Sequence, residues 1–171
     1  AMGPMLAELL RLHDRCETDT ALQDQRFDPP TLSWNFGVSD HSTAVNVTPA
    51  RSVAWVSLRT MPTVRSEELI AAAQSKAETL GLTFQRGHHG PPMWIDPQSD
   101  AVRLMCELSG TESSQTVCYA TDGGEFHELE NRVVCGPGDI AQAHTSDEWL
   151  DLDQLNRGID LYLRVLQRCC L

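Results

Sequence analysis

His144 stands in the stretch Arg132 to Trp149, RVVCGPGDIAQAHTSDEW, with two carboxylates, Asp147 and Glu148, three and four positions on. Imidazole is a common zinc ligand, and a nearby carboxylate can orient its second nitrogen. The stretch opens with Val133, Val134 and Cys135, the composition of a buried strand, and breaks at Gly136-Pro137-Gly138. That pattern places the histidine in a loop beyond a strand end, where ligands of open α/β sheets bind. The plain alternative is a surface-loop histidine that binds nothing. A second constellation is Thr121-Asp122-Gly123-Gly124, after a predicted strand over Gln115 to Tyr119. A strand running into a glycine-rich turn and then a helix offers backbone N–H groups to an anion; the alternative is a capped helix start. Asn46 and Arg59 flank a predicted strand over Val53 to Leu58, and read alone they are a turn residue and a solvated strand-end charge. His88 and His89 are adjacent, so in an extended chain they point to opposite sides and suit a hinge or a substrate rim.

These stretches carry a resemblance. GPGDIAQAHTSDE closely resembles the C-terminal signature of the zinc-dependent amidohydrolases and exopeptidases that include acetylornithine deacetylase, succinyl-diaminopimelate desuccinylase, aminoacylase and carboxypeptidase G. GVSDHSTAVNVTPARSVAWVSLR is similar to that family's lid pattern G-x-I-x-G-G-T-A-x-N-V-I-P-A and the strand after it, and ATDGGEF resembles its G-T-D-G/A-x-x-F turn. QAH and the closing GIDLYLRVL favour the deacetylase branch. The resemblance implies that His144 is a ligand of one of two zinc ions (cobalt or manganese could serve). It implies that Asn46, Arg59, Thr121 and the Gly136 and Gly138 loop bind an N-acyl amino acid, with Asn46 reaching into a partner subunit's site. It also implies a lid histidine that stabilises the tetrahedral intermediate across a dimer, for which His41 is the nearest candidate.

The departures are specific. Ser39-Asp40-His41-Ser42 stands where relatives read Ile-x-Gly-Gly, and an ungapped alignment puts Asp40, not His41, at the usual place. A carboxylate there would oppose an oxyanion. The family's other metal ligands and its glutamate base come from a His-x-Asp motif and carboxylates ahead of the lid. No His-x-Asp occurs in this chain, and Glu67-Glu68 falls at a predicted helix start. The resemblance therefore implies part of such an enzyme, inactive as the isolated chain. The alternative is a non-catalytic dimerisation or binding module derived from the family.

The elements that must position these residues follow from periodicity. Met5, Leu9, Leu12 and Cys16, widened by Leu6 and Leu10, predict a helix within residues 4–25. Asp28-Pro29-Pro30 is a turn, and Thr31 to Val38 a strand with Trp34 and Phe36 on one face. Val45 and Val47 alternate, and Val53 to Leu58 is a second strand. Ser66 is a predicted N-cap for a helix that ends at Gly81, and Leu82 to Gln85 a short strand. Ser99 and Asp100 start a helix ended by Gly110, and Gln154 to Arg168 is a closing helix. The resulting expectation is a mixed α/β and α+β chain. Residues 1–90 form a ferredoxin-like lid and dimerisation domain lacking its first strand, and 91–171 the C-terminal part of an α/β zinc-hydrolase catalytic domain.

Composition bounds the partners. The net charge of −11 disfavours nucleic acid. No apolar run approaches a membrane span and no leader precedes the first helix, so a cytoplasmic location is expected. The six cysteines are scattered without a C-x-x-C pair and read as small buried hydrophobes. The open strand edges expected after residue 99 call for a homodimer through the lid or an N-terminal companion chain.

Overall fold

A computed structural model describes residues 1–41, 44–117 and 119–171. It divides into two compact units, one of Ala1–Met93 with Thr116–Glu125, the other of Trp94–Gln115 with Phe126–Leu171.

The first unit is built on α1 (Met2–Thr18), β1 (Ser33–Ser39), β2 (Val53–Arg59) and α2 (Glu67–Thr79). Met5, Leu9, Leu12 and Cys16 are all buried, as their spacing predicts. Leu10 lies outside that stripe and is 51% exposed. The helix stops at Thr18, within the predicted range, because Asp19 turns extended and its carboxylate accepts the Ala21 N–H, starting a 3-10 turn over Thr20–Leu22. The strands pair antiparallel, Ser33 opposite Arg59 and Ser39 opposite Val53. Trp34, Phe36, Ala54 and Leu58 share the core face with α1 and with Leu69, Ala73 and Ala77 of α2. On the outer face the Trp55 indole lies against Gly37, where an added Cβ would come within 2.5 Å of its ring. Burial also pushes the Cys16 thiol up to about 11, so it is inert.

A polar clasp closes the region between α1 and α2. Asp24 is 6% exposed, and its carboxylate accepts from the Arg26 backbone and guanidinium and from the Thr63 hydroxyl. The Arg26 hydrogen bonds, reinforced by Thr63, hold that carboxyl far below the usual range.

Val45 and Val47 sit in a turn closed by the Val47 N–H on the Ala44 carbonyl (2.9 Å), and Val45 is fully exposed. Two expectations fail here. Leu82 to Gln85 forms no strand, since the sheet among the described residues has only β1 and β2; Leu82 and Phe84 instead pack their side chains on the core. Ser66 stands at the N-terminus of α2 but makes no side-chain cap; it is helical in backbone and buried, and its carbonyl accepts from Leu69.

The second unit holds α3 (Asp100–Ser109) and α4 (Leu152–Cys169). Both ends of α3 are as predicted: the Ser99 hydroxyl accepts the Val102 N–H, and Gly110 takes the left-handed conformation at φ 74°. Asp151 caps α4 through the Asp153 and Gln154 N–H groups. The predicted buried strand at Val133 to Cys135 is absent, and Val133 and Val134 are 37% and 54% exposed. An apolar triplet fixes a strand only where another strand can pair with it, and none lies beside it among the described residues. The same holds for Gln115 to Val117; Cys118, in that predicted strand, lies outside the described residues, as do Ser42 and Thr43.

Candidate functional site

The candidate residues divide between the units. His41, Asn46, Arg59 and Thr121 belong to the first, and Gly136, Gly138 and His144 to the second.

Arg59 ends β2, half-buried, opposite Ser33. His41 and Asn46 lie exposed in the connection that leaves β1 at Ser39 and enters β2 at Val53. That connection starts at the other end of the hairpin from Arg59, about 20 Å away at ordinary strand rise. His41 takes a left-handed backbone (φ 62°), and its N–H donates to the Ser39 hydroxyl at 3.3 Å. Few residues with a Cβ adopt this conformation, and histidine is among the types enriched in it.

Thr121 starts a short 3-10 turn over Asp122–Gly124. Its hydroxyl accepts the Gly123 N–H at 3.1 Å and faces the Met93 sulfur at 3.7 Å. The Gly124 and Glu125 N–H groups bond to the Thr121 and Asp122 carbonyls. The turn is thus capped from within. Gly124 is needed because the Pro91 backbone runs directly against it: a Cβ there would collide with the Pro91 carbonyl oxygen, whereas one at Gly123 would press on the flexible Met93 side chain. His88 reaches the same turn, with Nε2 3.1 Å from Glu125 Oε1, so the return link is tied to it. His89 is exposed.

In the second unit the Gly136-Pro137-Gly138 loop is held by α4. The Pro137 ring packs on Gly158, where a Cβ would come within 3.0–3.2 Å of it, and the Tyr162 hydroxyl donates to the Cys135 carbonyl at 3.1 Å. Gly138 needs its freedom, at φ 99°. Asp139 then forms a capping box with Gln142 over the turn Ile140–Gln142. His144 follows, exposed and left-handed at φ 58°. Its backbone N–H donates to Glu148 Oε2 at 3.1 Å. Glu148 therefore fixes the backbone of the histidine, not its ring nitrogen as the sequence suggests, and Asp147 accepts from the Ser146 hydroxyl.

Glu125, Tyr162 and Gly158 escape sequence reasoning as site supports. Only the presence of Glu125 in the ATDGGEF turn and of Tyr162 and Gly158 in the closing GIDLYLRVL motif could have drawn attention to them. Glu67 and Glu68 pair with Arg86 and Arg15, which accounts for both carboxylates at the α2 N-terminus.

A metal needs several converging donors. Among the described residues no three His, Cys, Asp or Glu side chains meet in a group that could hold one. His144, with Glu148 turned to its backbone, is a single donor and does not by itself fit a metal ion. No described helix is long and apolar enough to cross a membrane.

The family described as "Peptidase family M20/M25/M40" matches residues 18–168. Among curated relatives, an acetylornithine deacetylase of Myxococcus xanthus is 28% identical over 86% of this chain and 40% of its own length. An acetylornithine deacetylase of Proteus mirabilis is 27% identical over 99% of this chain and 45% of its own. A probable carboxypeptidase of Uncinocarpus reesii is 26% identical over 96% and 38%. The chain thus spans about two fifths of the length of these relatives.

Proposed function

The chain belongs to the M20/M25/M40 peptidase family, and from that premise we propose that it supplies the substrate-facing part of an amidohydrolase that cleaves the amide bond of an N-acyl amino acid, as in acetylornithine deacetylase. The match over residues 18–168 carries this reading. Residues 1–90 act as a ferredoxin-like lid that forms the homodimer, and 91–171 belong to the catalytic α/β layer. Arg59 binds the substrate of its own copy's site. Thr121 and its neighbours hold the substrate carboxylate, and Gly136 and Gly138 are substrate-binding residues of the second unit. His41 and Asn46, attached at the far end of the hairpin from Arg59, serve the site of the other copy. His144 contributes one donor to zinc or a similar divalent ion, the rest coming from outside these 171 residues. The protein works in the cytoplasm, without nucleic acid or membrane.

The direct test is turnover of N-acetyl amino acids by the pure 171-residue chain with added zinc. No turnover is expected, because one imidazole and no glutamate base cannot generate a metal-bound hydroxide. Zinc-dependent hydrolysis by the chain alone would sink the idea.

One second reading has specific support. The Ser39 to Ser42 substitution and the internally capped Thr121 turn favour a binding or dimerisation module that no longer processes substrate. Metal bound by native complexes isolated with a companion chain separates the two readings: metal near two ions per pair supports the hydrolase, and a metal-free homo-oligomer supports the module.

A further inference from the structure

The segment from His88 to Met93 lies along the Thr121 turn, within the first unit, and touches it in reverse order. His88 Nε2 stands 3.1 Å from Glu125 Oε1, the Pro91 carbonyl presses on Gly124, and the Met93 sulfur lies against Gly123 and the Thr121 hydroxyl. The last of these contacts decides what the turn can offer a ligand. A threonine hydroxyl has one hydrogen to donate and two lone pairs. Here a lone pair accepts the Gly123 N–H at 3.1 Å, and the hydrogen is donated to the Met93 sulfur at 3.7 Å. The Gly124 and Glu125 N–H groups are taken up by the Thr121 and Asp122 carbonyls, which closes the turn. Releasing either of them would open it. Releasing the hydroxyl from the sulfur would not.

We propose that Met93 is an internal acceptor that competes with the carboxylate of an N-acyl amino acid for the Thr121 hydroxyl, and so sets how tightly that carboxylate is held. The proposal rests on Thr121 being the residue that holds the carboxylate. Both competitors need the same hydrogen, because an ionised carboxylate only accepts and a thioether has no proton to give. A thioether is the weaker acceptor, whereas a charge-assisted hydrogen bond is about twice as strong as a neutral one. The carboxylate therefore displaces the sulfur. The contest is built in, because the contact of Pro91 with Gly124 fixes the chain two residues before Met93, and Met93 itself is half-buried. Met93 is then a positioning residue, acting on the substrate through Thr121.

Titration of N-acetylornithine into the full chain, followed by the amide chemical shifts of Gly123 and Gly124, tests this. Met93→Leu conserves side-chain volume while removing the acceptor. The expected result is a dissociation constant lowered ~threefold, the scale of one weak hydrogen bond. In a Thr121→Val background the same Met93→Leu change should do nothing, since the double-mutant cycle isolates the pair. Circular dichroism verifies that the variants keep the fold. An unchanged or raised constant in Met93→Leu, or an equal gain without the hydroxyl, overturns the proposal. If Thr121→Val still weakens binding in that case, Thr121 keeps its carboxylate role and only Met93 loses its own. The carboxamide of N-acetylornithine exposes the other failure. Should it bind the parent as tightly as the acid, or should neither shift the turn, the carboxylate role of Thr121 falls and the competition falls with it.

Discussion

Asp24 concentrates the polar chemistry of the first unit in one carboxylate. It accepts from Arg26 and Thr63 while almost wholly buried, and those bonds depress its pKa. A depressed carboxyl stabilises the fold above its unfolded pKa of about 4, and that contribution drains away as pH falls below it toward the folded value. Asp24→Asn should therefore cost about 1–3 kcal/mol at neutral pH. The variant should also lose less stability on acidification than the parent. Urea unfolding at pH 7 and pH 3 reads both effects, and equal acid sensitivity in the two proteins would refute the assignment. Nothing in the sequence marks Asp24, because Thr63 joins it and its near neighbour Arg26 only when the loops fold and bury the carboxylate. The motif around His144 is local, and the sequence alone singles that residue out as a candidate. The role of Glu148 was not legible: whether a carboxylate four residues on meets a ring or a backbone depends on the left-handed turn at His144.

Helices were legible from local pattern, and so were β1 and β2, expected over Thr31 to Val38 and Val53 to Leu58; the other strands were not. The stripe of α1, the Ser99 cap and Gly110 stop of α3, and the span of α4 all rest on neighbours within a turn or two of chain. The predicted strands at Leu82 to Gln85 and Val133 to Cys135 depend on pairing with distant chain, and among the described residues only β1 and β2 find each other. Ser66 shows the limit on the helical side: its position at the start of α2 is right, yet burial directs its side chain away from the cap. Ser99 is the contrasting case. Ser99→Ala should lower the local stability of α3 by about 1 kcal/mol. Faster amide exchange at Val102 and Arg103, with α2 unchanged, is the expected signature; unchanged exchange would mean the 3.4 Å cap bond contributes nothing.

At the scale of the molecule, the two units differ in how far they satisfy themselves. The first closes a core of two helices and a hairpin, with Leu9, Leu12, Leu22, Leu32 and Leu69 fully buried. The second buries Val102 and Leu161 and leaves Phe126, Leu129, Val134, Ile140 and Trp149 largely exposed. Such a surface suits association. The hairpin of the first unit adds a consequence that is genetic as much as structural. If each substrate site takes Arg59 from one copy and His41 from the other, a chain lacking Arg59 and a chain lacking His41 are dead separately for complementary reasons. Mixed at random in a two-fold dimer of the assembled enzyme, they should recover about a quarter of the parent activity, since half the dimers then hold one intact site. Complementation of that kind counts subunits per site without a structure of the dimer, and its absence would place both residues in the service of a single copy.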